Sequence, residues 1–148
     1  IAHDPFVNEC SLSLDIDGLE APVNVPVKMT TKEDVIRNCD VLSMHVPFNA
    51  GDKPVIGEEE LNMMKEGVSI INCARGGCID ETALIKNLEQ GKVSFAGVDV
   101  FENEPTPQEN ILKAERVSLT PHIGASTVEA QKRIGLELAD QIINFYKQ

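Results

Sequence analysis

The chain has 148 residues, of which 42% are hydrophobic and 25% are charged, so it is long enough to bury one core. Its formal net charge of -11 repels a phosphate backbone, and no basic run exceeds two residues, which disfavours nucleic-acid binding. No apolar run reaches the roughly 18 residues of a membrane span, and no charged-then-apolar leader opens the sequence. We therefore expect a cytoplasmic protein with neither a nucleic-acid nor a membrane partner.

The four cysteines, Cys10, Cys39, Cys73 and Cys78, form no C-x-x-C pair, and no histidine follows them at zinc-finger spacing. Cys39 and Cys73 lie in apolar, strand-like surroundings, where a free cysteine usually packs as a small buried hydrophobe. Reduced thiols without a metal are the favoured interpretation.

The first residues, Ile1 to Pro5, are typical of the end of a strand that runs into a turn. Because no initiator Met precedes them, we expect a fragment or a processed piece whose first strand is absent.

Short apolar runs rich in β-branched residues alternate with helical patterns along the rest of the chain. Strands are predicted at residues 23–29, 40–46, 68–73, 93–100 and 116–119, and Pro26 limits the first of them to an edge position. Residues 8–22 cannot be placed.

Helices are predicted after Thr30 or Thr31 up to about Asn38, over 58–65, and from the cap Asp80 to Gly91. A long final helix follows Ser126, which with Glu129 has the pattern of a capping box. Its apolar positions recur at helical spacing and predict a packing face: Ile134, Leu138, Ile142 and Phe145. Repeated β-loop-α units with apolar strands predict an α/β fold, a Rossmann-like three-layer parallel sheet with helices on both faces.

In such sheets ligands bind at the carboxyl ends of the strands, and unusual polar residues fall there. Asp4 could accept hydrogen bonds from an adenosine ribose, although an Asp before Pro more often only initiates a turn. Arg75, in A-R-G-G, presents a planar fork suited to a substrate carboxylate, the alternative being a surface ion pair.

Asp99, among apolar residues near a strand end, needs a partner, and a nicotinamide carboxamide would provide one. Glu104 lies in a loop crowded with acidic residues, most of which we expect to be solvated. His122, between a strand and a helix cap, has the setting best suited to proton transfer. Gly124 and Ala125 are small enough for the backbone to approach a cofactor. These residues together suit hydride transfer at a carbon that bears a hydroxyl beside a carboxylate. Arg75 would bind the carboxylate, His122 would act as acid-base group, and Glu104 would orient it.

The stretches INCARGGCIDETAL (71–84), AGVDVFENEP (96–105) and TPHIGAST (120–127) resemble the signatures of the D-2-hydroxyacid dehydrogenase family, in family order and spacing. The sequence PHIGASTVEAQ (121–131) is most similar to that of the phosphoglycerate dehydrogenase branch of the family. The resemblance covers essentially the whole chain, and it implies that residues 1–148 are the C-terminal portion of an NAD-binding domain.

The resemblance implies catalytic roles for Arg75, Glu104 and His122, with Glu104 paired to His122. It also implies NAD as cofactor, a small anionic 2-hydroxyacid or 2-ketoacid as substrate, with 3-phosphoglycerate and 3-phosphohydroxypyruvate as the favoured pair, and a homodimer of the full-length protein. The implied cofactor contacts are Asp4, Val46, Pro47, Cys73, Ala74, Asp99, Gly124 and Ala125.

Two departures from the family pattern lead to a further expectation. The sequence has no G-x-G-x-x-G loop and no flanking substrate-binding domain, so we expect the 148 residues alone to be inactive. Two alternatives stay open: a related dehydrogenase or ketoacid reductase of other specificity, and a non-catalytic, NAD-sensing interaction protein similar to the corepressors of this family.

Overall fold

A computed structural model describes residues 1–147 of the chain. Strands and helices alternate after an initial hairpin, as the apolar periodicity predicts. The strands are β1 (Glu9–Leu14), β2 (Val23–Lys28), β3 (Val41–Met44), β4 (Val68–Asn72), β5 (Val93–Val98) and β6 (Val117–Leu119). The helices are α1 (Lys32–Asn38), α2 (Glu58–Met63), α3 (Glu81–Glu89), α4 (Glu109–Lys113) and α5 (Val128–Phe145).

The main sheet has the order β3-β4-β5-β6, and all three strand pairs are parallel. A parallel sheet in an α/β fold was predicted, and it is confirmed. Because every strand runs in the same direction, the segments that follow the four strands emerge at one edge.

Helices cover only one face of this sheet within residues 1–147, whereas the sequence predicted helices on both faces. Leu42, Ile70 and Ala96 on the covered face are buried, but Ile71 and Phe95 on the other face are 36% and 43% exposed. The strand order explains the difference. Right-handed crossovers that always step in the same direction along a sheet place every connecting helix on the same side.

The segment that the sequence left unplaced contains β1, which pairs with β2 as an antiparallel, two-stranded sheet. Pro26 lies opposite Ser11 in this sheet, where both strands are edges, as its missing amide hydrogen predicted. Ile1 to Pro5 do not form a regular strand. Ala2 makes an isolated parallel bridge with Met29.

The final helix forms as predicted, but none of its residues is buried. The four apolar side chains that the sequence predicted to form a packing face are at least half exposed: Ile134, Leu138, Ile142 and Phe145. The capping prediction was also wrong by one residue, since Thr127 rather than Ser126 accepts the hydrogen bond from the Ala130 amide. Among residues 1–147, no helix is both long enough and apolar enough to cross a bilayer.

Two local details also differ from expectation. Cys39 is buried as predicted, but Cys73 is exposed. Cys73 is exposed because β4 ends at Asn72, so the chain has already left the sheet at residue 73. The five-residue helix α4 was not predicted, since one turn is too short to show a helical period. Asp80 does cap α3 by accepting from the Ala83 amide, and Thr31 caps α1 in the same way.

Candidate active site

The segments after β3, β4, β5 and β6 meet at the carboxyl edge of the main sheet and enclose an open cleft of about 530 Å³. The side chains of Arg75, Glu104 and His122, which the sequence analysis assigned to one site, all line this cleft. A second, smaller cleft of about 330 Å³ lies beside it and shares Arg75; its other lining residues are His45, Val46, Pro47 and Ala74.

The loop that carries Arg75 is held by Asn72, the last residue of β4, which is only 3% exposed. The Asn72 amide group donates to the Arg75 carbonyl oxygen at 3.0 Å, and its carbonyl oxygen accepts from the Ala74 amide at 3.1 Å. Both ends of one buried side chain therefore fix the backbone of the turn, so that the Arg75 side chain leaves the sheet at a defined point.

Two consecutive glycines let this loop pack against its neighbours. A Cβ on Gly76 would lie 1.8 Å from the carbonyl oxygen of Phe101, and a Cβ on Gly77 would lie 2.4 Å from the Phe48 ring. Gly77 also has a φ of +85°, which favours glycine. Gly76 therefore allows close approach between the loops that follow β4 and β5, and Gly77 allows the β4 loop to approach the Phe48 ring after β3.

The position of His122 is set by Asp99, which directly follows β5. One carboxylate oxygen of Asp99, Oδ1, accepts from the His122 amide at 3.0 Å and from the Thr120 hydroxyl. His122 has a φ of +52°, a left-handed conformation that is uncommon outside glycine and that these two hydrogen bonds help to hold. No hydrogen bond to Asp99 Oδ2 is found within residues 1–147.

The imidazole of His122 faces the carboxylate of Glu104. Its Nδ1 lies 2.9 Å from Oε2 and 3.1 Å from Oε1, and Glu104 Oε1 also accepts from the Phe101 amide at 2.9 Å. The hydrogen bond with His122 is the main cause, and that with Phe101 the second, of a pKa of Glu104 below its usual value. An ionised carboxylate only accepts hydrogen bonds, so Nδ1 is the donor, and Nε2 is left to exchange a proton with a bound molecule.

The guanidinium of Arg75 forms no salt bridge within residues 1–147. Its one hydrogen bond there runs from Nη1 to the Ala74 carbonyl oxygen at 2.6 Å. The surface ion pair that was the alternative interpretation of Arg75 is therefore not formed. The other titratable side chains that line the cleft are His122 and three carboxylates, Asp52, Glu102 and Glu104.

The residues that the resemblance implied for a cofactor are divided between this edge and other parts of the chain. Val46, Pro47 and Ala74 line the smaller cleft, whereas Asp4, Gly124 and Ala125 line neither cleft. Asp4 Oδ1 accepts from the Phe6 and Val7 amides, which is the turn-forming role that the Asp-Pro sequence also suggested. The Ala125 carbonyl oxygen accepts from the Gln131 side chain.

Sequence reasoning missed three residues that hold this site together. Asn72 falls inside the predicted strand 68–73 without a role of its own, and no site role was predicted for Glu81 or Glu102. Glu81 Oε1 accepts from the Glu102 amide at 2.7 Å, and Glu102 Oε1 accepts from the Glu81 amide at 3.0 Å. A polar residue at a position where the pattern predicts burial was the one available signal, and it was present for Asn72.

The fold and the motifs at the strand ends define an NAD-binding domain of the Rossmann type, and comparison with known proteins identifies its family. A sequence model described as "D-isomer specific 2-hydroxyacid dehydrogenase, NAD binding domain" matches residues 15–124. The chain therefore belongs to the D-2-hydroxyacid dehydrogenase family.

Individual relatives carry several specificities. A hydroxypyruvate reductase of Thermotoga maritima is 43% identical over 129 residues, which cover 85% of this chain and 42% of that protein. A D-3-phosphoglycerate dehydrogenase of Archaeoglobus fulgidus is 38% identical over 148 residues, covering 99% of this chain and 26% of that protein. The solved glyoxylate reductase of Paecilomyes thermophila superposes with a TM-score of 0.68 at 45% identity, covering 74% of this chain and 33% of that one. The chain thus spans well under half the length of these relatives.

Proposed function

We propose that this chain provides the catalytic part of the NAD-binding domain of an NAD-dependent enzyme that oxidises a D-2-hydroxyacid or reduces the corresponding 2-ketoacid. The observation that carries the proposal is that two side chains line the same cleft: a histidine oriented by a carboxylate, and an arginine that forms no salt bridge with any described residue. Membership of the family supports the same chemistry.

Each of the three side chains has a separate task in this reaction. The Arg75 guanidinium binds the carboxylate of the hydroxyacid as a planar fork, which fixes the neighbouring carbon. His122 Nε2 accepts the hydroxyl proton during oxidation and returns it during reduction, and Glu104 holds the ring and stabilises its cationic form. NAD, when bound, supplies the acceptor for the hydride that leaves the carbon.

The residues at the carboxyl edge fit such a cofactor. The smaller cleft, which Val46, Pro47 and Ala74 line, adjoins the Arg75 side chain. Asp99 can offer Oδ2 to the carboxamide while Oδ1 keeps holding the His122 loop. We propose further contacts through Asp4 with the ribose and through Cys73, Gly124 and Ala125.

For the specificity we propose 3-phosphoglycerate as the first candidate substrate, on the resemblance of PHIGASTVEAQ and on the D-3-phosphoglycerate dehydrogenase that matches 99% of this chain. A second candidate, a small 2-ketoacid with a single charge such as hydroxypyruvate, is favoured by the lining of the cleft. Arg75 is the one arginine or lysine that lines it, whereas Asp52, Glu102 and Glu104 are acidic. The hydroxypyruvate reductase relative agrees with this candidate.

Turnover by the full-length protein that contains this chain tests the proposal. We expect His122→Asn to lower kcat by about 100-fold to 10,000-fold, the usual contribution of an acid-base group. His3→Asn is the matched control, because His3 contacts the Thr30 carbonyl oxygen and lies outside both clefts. Equal, slow turnover by both variants and the unaltered protein would refute catalysis and favour the NAD-sensing alternative.

The specificity and the cofactor contacts need their own measurements. A kcat/KM for 3-phosphoglycerate no higher than that for D-glycerate would contradict the first candidate substrate. Asp99→Ala should weaken NAD binding in a direct titration, which needs no turnover. We also expect residues 1–148 alone not to oxidise a 2-hydroxyacid, and the full-length protein to sediment as a dimer.

A further inference from the structure

Glu81, the first residue of α3, is an acidic side chain that is only 5% exposed. It lies at the end of the loop that follows Arg75, and it reaches across to the loop that follows β5. There, Glu81 and Glu102 exchange two hydrogen bonds, each carboxylate accepting from the backbone amide of the other residue. This reciprocal pair joins the start of a helix to a neighbouring loop at one point.

Capping of the helix does not account for Glu81, because Asp80 already accepts from the Ala83 amide. The second carboxylate oxygen of Glu81, Oε2, is buried and has no hydrogen-bond partner within residues 1–147. Burial is the main cause of a raised pKa of Glu81, and the nearby carboxylates of Glu102 and Asp80 raise it further. A buried carboxylate oxygen without a partner lowers stability unless other contacts of the same side chain compensate. The contact of Glu81 that can compensate is the hydrogen bond that its other oxygen, Oε1, accepts from the Glu102 amide.

The amide that Glu81 holds belongs to the turn that carries Glu104. The Glu102 amide donates to Glu81, and the preceding amide, that of Phe101, donates to the Glu104 carboxylate. Glu104 in turn contacts His122 Nδ1. On the other side of the turn, the Phe101 carbonyl lies against Gly76, so the turn has no room to move toward the Arg75 loop.

We propose that Glu81 is a positioning residue for the reaction: its bond to the Glu102 amide fixes the turn of residues 101–104, and through Glu104 it fixes the His122 imidazole relative to Arg75. This inference rests on the proposed function, because the positioning matters for turnover only if His122 and Arg75 act on one substrate. It goes beyond the three expected catalytic side chains by assigning a role to a carboxylate that does not line the cleft.

Two substitutions in the full-length protein separate the accepting oxygen from the bulk of the side chain. Glu81→Gln keeps an oxygen that can accept from the Glu102 amide, and it should leave kcat within about twofold. Glu81→Leu has similar volume but no acceptor, and it should lower kcat by about tenfold or more with little change in the KM for the hydroxyacid, since small misplacements of acid-base groups are costly. Asn87→Ala is the stability control, because Asn87 is buried in the same helix and its side-chain hydrogen bond in the described part of the chain is to the Ala83 carbonyl oxygen.

A double variant tests whether Glu81 acts through Glu104. In a Glu104→Gln background, the additional effect of Glu81→Leu on kcat should largely disappear, because residues that act as one unit are not additive. A full tenfold loss in that background would overturn the proposal. So would a loss of kcat in Asn87→Ala as large as in Glu81→Leu, since both would then report only on the stability of α3.

Amide hydrogen exchange supplies a readout that does not need turnover. Glu81→Leu should speed exchange in the segment 100–106, whereas Glu81→Gln and Asn87→Ala should not. Unchanged exchange in Glu81→Leu would overturn the positioning role even if the enzyme is active. If the unaltered protein has no turnover with any hydroxyacid, the proposed function fails instead, and the exchange experiment still decides whether Glu81 holds the turn.

Discussion

Gly76 is the position at which one added methyl group should affect the site most. Its φ is not in the left-handed region, so alanine can adopt the same backbone conformation. The effect of the substitution therefore depends on the space around the added methyl group. A Cβ would lie 1.8 Å from the Phe101 carbonyl oxygen, 2.3 Å from its carbon and 3.0 Å from the Glu102 nitrogen. All three atoms are backbone, which cannot rotate away as a side chain can.

The size of the effect follows from these distances. To restore an ordinary contact of 3.4 Å, the Phe101 carbonyl would have to retreat by about 1.6 Å. Overpacking of this kind typically costs about 1–3 kcal/mol, and backbone contacts place Gly76→Ala at the upper end of that range. The retreat also moves the turn that carries Glu104, and a displacement of about 1 Å in a reacting group can cost about 100-fold in rate.

The assay compares Gly76→Ala with Gly97→Ala in the full-length protein. A Cβ on Gly97 would meet Ile71 at 3.8 Å, an ordinary contact, so this control should be neutral or slightly stabilising. We expect Gly76→Ala to lower the thermal midpoint and to lower kcat by about 100-fold, while Gly97→Ala keeps both. Equal midpoints and equal kcat in the two variants would refute the close approach of the two loops.

Three further predictions concern groups that hold the site. Asn72→Ala should cost about 1–3 kcal/mol in the free energy of unfolding and raise the KM for the hydroxyacid, because it leaves two partly buried backbone groups of the Arg75 loop without their partner; an unchanged KM would contradict this. The lowered pKa of Glu104 means that its carboxylate adds stability above its usual pKa of 4.5, and that this stability is lost as the pH falls through the lowered value. Glu104→Gln should therefore be less stable than the unaltered protein at pH 7 and approach it in acid, as urea unfolding at several pH values would show. The pKa of Glu81 is shifted in the opposite direction, so the stability that it contributes is present below its usual pKa of 4.5 and is lost as the pH rises through the raised value. Glu81→Gln should therefore gain stability relative to the unaltered protein as the pH is raised above 4.5, which the same urea series would show.

The sequence was sufficient to bring Arg75, Glu104 and His122 to one site because each lies just beyond a predicted strand. In a parallel sheet all strands end at the same edge, so a correct assignment of β4, β5 and β6 is enough to predict their proximity. The prediction did not require exact strand ends. Asp99 lies just beyond β5 rather than inside it, and it still faces the His122 loop.

The arrangement of the helices could not be obtained in the same way. The periodicity of α5 predicts an apolar face, but it cannot tell what covers that face, and within residues 1–147 it is exposed. Apolar strands likewise indicate that a sheet can be covered twice, whereas the face on which each helix lies depends on strand order and crossover hand. Strand order is a long-range property that local patterns do not contain.

The hydrogen bonds that hold the site share one feature that the sequence does not predict: a side-chain oxygen accepts from a backbone amide. Asn72, Glu81, Asp99 and Glu104 each use a side-chain oxygen to hold a backbone amide of the same or a neighbouring loop. Each of these oxygens accepts from a backbone amide and not from the Arg75 guanidinium. This is consistent with the Arg75 guanidinium lining an acidic cleft without a salt bridge within residues 1–147, in a chain with a net charge of -11. An anionic substrate would then meet a local positive group whose field is strongest at short range, even though the surface as a whole repels it.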